Sequence, residues 1–252
     1  MANKGLRRAP SIDDHKYSRG VVAIIAGSRL YPGAGVLTAG GARRGGAGYV
    51  KFLDFNTRAT DLVLSAFPDV VPIKTVANQK IDSLVVGPGA TTVKTLPDVI
   101  PVVLDSGALS LARSTRNKRK SDQLIVVTPH EGELTSLGYS MVDGHRKEIA
   151  QQISDELNVI CVLKGHRTLI AAPHSSIMIN TNGGPELATA GSGDILAGLI
   201  GAFLASWKPQ SHEEAQKVVR DAVHLHSAAG AHAARNKKTV VATDILESLS
   251  YC

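Results

Sequence analysis

Residues 21–28, Val21-Val22-Ala23-Ile24-Ile25-Ala26-Gly27-Ser28, decide the architecture. Six apolar residues follow one another without the polar alternation of a strand that keeps one wet face, and a Gly-Ser pair stops them. A short run of this kind, rich in Val and Ile, reads as a strand buried on both faces that feeds a loop. Residues 49–53, 84–86, 102–104, 124–127 and 159–163 read the same way, several bounded by Gly, Pro or Asp. Helical patterns lie between them. Ile149, Ile153 and Leu157 recur at i, i+4 and i+8 within the charged stretch 145–158. Ile195, Leu196, Leu199, Ile200, Phe203 and Leu204 form one apolar stripe, and residues 212–235 make a long Ala-rich helix. Strands alternating with helices predict βαβ units, hence a mostly parallel sheet covered by helices on both faces. Residues 168–172 and 177–180, joined by a Pro/His/Ser turn, predict an antiparallel hairpin added late. No repeat, low-complexity tract or linker divides residues 1–252, so one domain is expected.

Composition narrows the function. An apolar fraction of 43% supplies an ordinary core. No apolar run reaches the roughly 18–20 residues that span a bilayer. Residues 1–20 lack the apolar stretch of a secretory signal, and Asp13 and Asp14 oppose reading Arg7, Arg8 and Arg19 as a transit peptide. The expectation is a cytoplasmic protein without a membrane partner. Cys161, inside an apolar run, and Cys252, the last residue, fit a buried and a tail thiol better than a disulfide. The net charge of +6 raises the question of nucleic acid. Its basic residues are scattered over Arg43-Arg44, Lys118-Arg119-Lys120 and residues 235–238, and aromatics make up only 4%. That is too few for base-stacking platforms, so attraction for small phosphate-bearing molecules explains the charge more simply.

The chemistry concentrates at residues 188–194, Ala-Thr-Ala-Gly-Ser-Gly-Asp, opening directly into an apolar helix. Gly191 and Gly193 let the backbone approach a ligand closely. A helix N-terminus adds unsatisfied N–H donors and partial positive charge, which together form an anion hole. Asp194 alone could be a capping acid, but a cap needs neither flanking glycine. Gly191, Ser192 and Gly193 are read as stabilising a transferring phosphoryl group, with Asp194 accepting the proton of the attacking hydroxyl. Gly27-Ser28 with Tyr31-Pro32-Gly33-Ala34 reads as a strand-to-helix loop, and Gly87-Pro88-Gly89 follows another strand; each is either a plain turn or a ligand loop. Residues 128–133, Thr-Pro-His-Glu-Gly-Glu, group His130 with two carboxylates, again as loop or site. Lys164-Gly165-His166-Arg167-Thr168 is either a polar hairpin edge or a cationic clamp on nucleotide phosphates. His224 and His226, two apart on a helix, face different sides and make no metal pair; His232 reads as surface. No Walker A, GxSxG or well-placed GxGxxG sequence is present, which excludes an ordinary P-loop NTPase or dehydrogenase.

In order along nearly the whole chain, these segments resemble the ADP/ATP-dependent NAD(P)H-hydrate dehydratase family of the ribokinase-like fold. The resemblance runs through His15-Lys16-Tyr17-Ser18-Arg19-Gly20, Ala26-Gly27-Ser28, residues 31–34 and Gly46-Ala47-Gly48. It continues through Gly87-Pro88-Gly89, residues 104–109 (Leu-Asp-Ser-Gly-Ala-Leu), Thr128-Pro129-His130 with Gly132-Glu133, Lys164-Gly165 and residues 188–194. It implies a three-layer αβα sandwich that removes water from the S-epimer of hydrated NADH or NADPH by phosphorylating the C6 hydroxyl. It implies Asp194 as base, the 191–193 segment as anion hole, and Lys164, Gly165, His166, Arg167, Thr168 and Gly193 around ADP or ATP. Gly33 or Ala34, Gly89 and His130 would line the hydrated nicotinamide, with Asp194 touching it. Glu133 would organise Mg²⁺ through water. The family further implies a homotetramer and, here, a separate epimerase. Gly184, Arg43 and a short 54–87 region depart from the family pattern. A ribokinase-like kinase acting on a vitamin-precursor alcohol is the alternative enzyme, and a non-catalytic nucleotide-binding module the alternative of another class. Thr128-Pro129-His130, Lys16-Tyr17 and Tyr31-Pro32-Gly33 favour the dehydratase over the first, and an intact Asp194 between glycines opposes the second.

Overall fold

A computed structural model describes residues 6–89, 96, 100–117, 122–141, 144–235 and 237–252. Lys118-Arg119-Lys120, and Asn236 of the basic run 235–238, lie outside the described residues. Nine strands follow in chain order: β1 Val21–Ile25, β2 Tyr49–Leu53, β3 Val71–Ile73, β4 Ser83–Val86, β5 Val102–Leu104, β6 Ile125–Val127, β7 Ile160–Leu163, β8 Thr168–Ala171 and β9 Met178–Asn180. The helices are α1 Pro32–Arg44, α2 Thr57–Ala66, α3 Leu111–Ser114, α4 Arg146–Leu157, α5 Ser192–Trp207, α6 His212–Ala234 and α7 Ala242–Ser248.

The strands form one sheet in the order β3-β2-β1-β4-β5-β6-β7-β8-β9. All pairings from β3 across to β7 are parallel, and β7-β8 and β8-β9 are antiparallel, as the late hairpin predicts. All five residues of β1 are buried. Their side chains alternate between two cores. Val22 and Ile24 pack with α1, α2, α5, α6 and α7, whereas Ala23 and Ile25 pack with α3 and α4. That two-sided burial is why the run carries no polar alternation.

The 71–73 strand was not legible. It is a three-residue Val-Pro-Ile segment, and Pro72 lacks the N–H a central strand needs. The sheet accommodates it at its outer edge, against β2 only. Pro32, Gly33 and Ala34, read as a loop, instead form the first turn of α1. Proline at the first helical position loses no hydrogen bond and already has helical φ. Arg43, unusual at its position, pairs with Asp69 at 2.7 Å and lies 4.3 Å over the Phe67 ring. Helices α1 and α5 pack at glycine contacts: a β-carbon on Gly198 would stand 2.0 Å from the Thr38 carbonyl oxygen.

The chain runs outward from β1 to β2 and β3, then returns to the other side of β1 as β4. This reversal makes the β1/β4 boundary the topological switch point, where the loops beyond the carboxyl ends of the strands diverge and leave a crevice.

Candidate active site

Two cavities open beyond those strand ends, and Asp194 and Ser106 line both. The larger, of about 790 Å³, lies between the loops after β5, β6 and β7 and the start of α5. The smaller, of about 440 Å³, lies at the switch point against Tyr31, Ala34, Gly89 and Gly107.

Helix α5 starts three residues earlier than its apolar stripe, so Ser192, Gly193 and Asp194 are its first turn, not a loop before it. Gly191 caps it at φ +91°, a left-handed conformation that side chains disfavour, and a β-carbon there would stand 2.3 Å from Leu37 Cδ1. Nothing from residue 191 caps the helix by side chain. The Ser192 N–H donates to the Thr189 carbonyl at 3.2 Å and that of Ile195 to the Gly191 carbonyl at 3.2 Å, which leaves the N–H groups of Gly193 and Asp194 for an anion in the larger cavity.

Around this turn lies a charge cluster. Lys164 follows β7, and its Nζ donates to Asp105 Oδ1 at 2.9 Å and stands 3.6 Å from Glu133 Oε2. Asp105 follows β5 and is only 1% exposed. Its carboxylate also accepts from Thr128 Oγ1 at 2.6 Å and Ser106 Oγ at 3.1 Å. Glu133 Oε2 accepts the His130 N–H at 2.9 Å and lies 3.5 Å from His130 Nε2. A β-carbon on Gly193 would lie 3.2 Å from Lys164 Nζ, so the ammonium faces the first turn of α5 directly.

The electrostatics follow from this crowding. Burial pushes the Asp194 carboxyl up to about 6; Asp105 and Glu133 add to the rise and Lys164 opposes it. Burial alone would pull Lys164 down, but Asp105 and Glu133, with Asp194 beyond them, hold its ammonium above its ordinary value. The site thus keeps one firm cation beside a carboxylate poised to exchange a proton near neutral pH.

The predicted residues divide. His130, Glu133, Lys164, Gly165, His166, Thr168 and residues 191–194 line the larger cavity together, and Gly184 lines it too. Ala34 and Gly89 line the smaller one. Gly33 lines neither, and no other group comes within 4 Å of where its β-carbon would be. Arg167 does not line the larger cavity; its carbonyl accepts from Arg146 Nη1 at 3.1 Å.

Three residues gained no role from sequence. Asp105 stood in a quoted segment, but nothing in that segment pointed to its ion pair. Arg146 braces the loop after β7, donating to the Lys164 carbonyl at 3.1 Å and pairing with Glu131 at 2.8 Å. His226 is buried, with Nε2 3.2 Å from Ser192 Oγ. Burial pulls its imidazole down to about 4, with Ser192 opposing and Lys164 assisting, so it stays neutral at pH 7. Its signal, one of four histidines on an Ala-rich helix, carries no information without the contact.

Among the described residues no group of three or more His, Cys, Asp or Glu side chains could cage a metal ion. The donor set still fits Mg²⁺, which keeps several waters and binds through one or two carboxylates plus substrate phosphates. Glu133 offers a carboxylate at the cavity wall for that purpose.

This architecture is that of the ribokinase-like proteins. A ribokinase-like superfamily protein of Enterococcus faecalis V583 superposes with a TM-score of 0.81 at 27% identity, covering 97% of this chain and 90% of that one. The family model for NAD(P)H-hydrate dehydratase matches residues 22–250, and the chain belongs to that family. The ADP-dependent (S)-NAD(P)H-hydrate dehydratase of Lactococcus lactis is 31% identical over 251 residues, 93% of this chain and 90% of the relative. The ADP/ATP-dependent NAD(P)H-hydrate dehydratase of Bacillus subtilis, co-crystallised with ATP and Mg²⁺, superposes at a TM-score of 0.79 and 27% identity over 96% of this chain and 92% of that one. The chain spans about half the length of the bifunctional NAD(P)H-hydrate repair enzymes of Mycobacterium tuberculosis and Gloeobacter violaceus that it also matches, 45% and 48% respectively.

Proposed function

We propose that this chain is a single ribokinase-like catalytic domain that dehydrates the S-epimer of NADH- or NADPH-hydrate at the expense of ADP or ATP. One observation carries the reading: Asp194 lines both cavities, so one carboxylate can face a nucleotide on one side and a hydroxyl-bearing substrate on the other. The larger cavity, with Lys164, Gly165, His166 and Thr168, suits the phosphates of the nucleotide. The smaller, against Ala34 and Gly89, suits the hydrated nicotinamide ring. His130, on the wall of the larger cavity, then meets the substrate from the nucleotide side.

The chemistry follows from the poor leaving ability of hydroxide. Asp194 draws the proton from the C6 hydroxyl as its oxygen attacks the terminal phosphorus of the nucleotide. The bridging P–O bond breaks, leaving AMP from ADP or ADP from ATP. The N–H groups opening α5 and the Lys164 ammonium stabilise the charge on the transferring phosphoryl oxygens. The C6–O bond then breaks with its electrons leaving on phosphate, a far better leaving group than hydroxide, and loss of a ring proton restores the dihydronicotinamide. Mg²⁺, when held through water by Glu133, supplies further charge neutralisation on the nucleotide. A carboxylate with a pKa of about 6 is mostly ionised at pH 7, yet basic enough to take the proton.

ADP as the preferred donor, a homotetrameric assembly, a cytoplasmic location and a separate epimerase that supplies the S-epimer belong to the same proposal. The bifunctional relatives support the last of these, and no helix among the described residues is long and apolar enough to cross a membrane. The test is incubation with hydrated NADH, Mg²⁺ and either nucleotide, following recovery of dihydronicotinamide absorbance. No recovery with ADP or ATP, alongside phosphorylation of an unrelated alcohol, would replace the reading by a kinase. Light scattering in solution tests the tetramer.

A further inference from the structure

A third cavity, of about 590 Å³, shares no residue with the two at Asp194. Arg19 and Gly46, which line it, stand just ahead of the first residues of β1 and β2, at the amino ends of the parallel strands. Arg44, the last residue of α1, lies about 20 Å along that 13-residue helix from its first turn beside the smaller cavity. The wall also carries Arg7, Arg8 and His224, and no aspartate or glutamate.

Two of its arginines are held by carbonyls, not by carboxylate side chains. Arg8 instead pairs with Asp14 at 2.8 Å, and Cys252, which also lines the cavity, lends Arg7 a partial counter-charge. Arg7 donates to the Leu249 carbonyl, and its Nε is buried without a hydrogen-bond partner. Arg19 donates to the Gly46 carbonyl at 3.3 Å. Carbonyl anchors fix a guanidinium without supplying a counter-charge. Burial pulls Arg7 below its ordinary value, Cys252 offsets part of this, and Arg44 adds to the lowering, which is the mark of like charges crowded together. Elsewhere some surface cations meet carboxylates, as in Arg43 with Asp69, Arg146 with Glu131 and Lys208 with Asp82, and others donate to lone carbonyls, as do Arg58 and Arg116. An arginine-lined concavity without an aspartate or glutamate is the chemistry that recognises phosphate, because the planar guanidinium forks match its oxygens.

We propose that the cavity formed by Arg7, Arg19, Arg44 and His224 is a second anion site, taking a pyrophosphate-bearing small molecule independently of the Asp194 site. The volume suits a diphosphate with part of its organic substituent, and Leu6, Pro10 and Leu225 offer that substituent an apolar wall.

Isothermal titration of the full chain with inorganic pyrophosphate tests this. Two classes of sites are expected. Arg44→Glu places a negative charge on an exposed helix end without breaking an ion pair, and one class should weaken by at least about tenfold. Arg44→Lys, which keeps the charge, should lose far less. Lys164→Gln should weaken only the other class. Dehydration of hydrated NADH by Arg44→Glu should stay at the wild-type rate. A wild-type chain with one class of sites, or an Arg44→Glu variant that binds pyrophosphate in wild-type number and affinity, overturns the proposal. Loss of both classes together in Lys164→Gln also overturns it, by showing that all the binding belongs to the Asp194 site. Titration with ADP and with a non-phosphorylated nucleoside then separates recognition of the diphosphate from recognition of the base.

Discussion

Replacing Asp194 by Asn should inactivate the protein and, at neutral pH, make it more stable. The wild-type carboxyl is raised from its ordinary 3.8 to about 6 by burial and by Asp105 and Glu133. At 1.36 kcal/mol per pH unit, that gap amounts to about 3 kcal/mol against the ionised form in the fold. Some solvent reaches the group, so about 2 kcal/mol is the working figure. The sign follows from linkage: a carboxyl whose folded pKa exceeds its unfolded pKa favours the fold fully below about pH 4. That contribution is lost as the pH rises through about 6. Asparagine keeps the shape and does not titrate. The stability of Asp194→Asn relative to wild type should therefore grow between about pH 4 and 6 and level off above. For a chain of this size the plateau corresponds to a melting temperature about 4–8 °C higher. Thermal melts of both proteins from pH 4 to 8 make the measurement, with nucleotide titrations to show that binding survives. A difference that does not change with pH, or that shrinks as pH rises, would refute the claim that Asp194 is held ionised at a cost.

In the wild type, turnover should fall on the acid side with an apparent pKa near 6, read from the pH dependence of kcat/KM, because the base must be deprotonated. Lys164→Gln removes the cation that opposes the Asp194 rise and should move that acid limb to higher pH. It also strands Asp105, 1% exposed, and should cost roughly 2–4 kcal/mol by denaturant unfolding. Gly198→Ala puts a methyl 2.0 Å from the Thr38 carbonyl oxygen across the α1/α5 contact, so at least about 3 kcal/mol should be lost, with poor soluble yield as the readout. Arg146→Ala frees the Lys164 and Arg167 carbonyls and should raise the KM for nucleotide more than it lowers kcat.

The strands were legible because burial on both faces leaves a local mark. Residues 49–53 and 102–104 match β2 and β5 end to end, and the other predicted runs differ from their strands by one residue, at one end or the other. The missed strand β3 contains Pro72 and is three residues long, so neither composition nor length announced it. The start of α5 was placed too late because Ser192 and Gly193 are weak helix formers; the apolar stripe beyond them, packed on the sheet, carries the helix back through them.

The amino-acid order alone determined that the sheet is mostly parallel with a late hairpin, that a glycine-rich turn opens a helix at Asp194, and which family the segments match. Each of these is written in neighbouring residues: an unbroken apolar run, a Gly-Ser-Gly-Asp helix start, an ordered set of short motifs. Only the tertiary structure decided that Lys164 pairs with Asp105, 59 residues away, that buried His226 meets Ser192, and that Asp194 stands between two cavities. Those contacts depend on which strands lie side by side and on how deeply the joined groups are withdrawn from water. Strand order and desolvation are properties of the packed sheet, with no periodicity along the chain to reveal them.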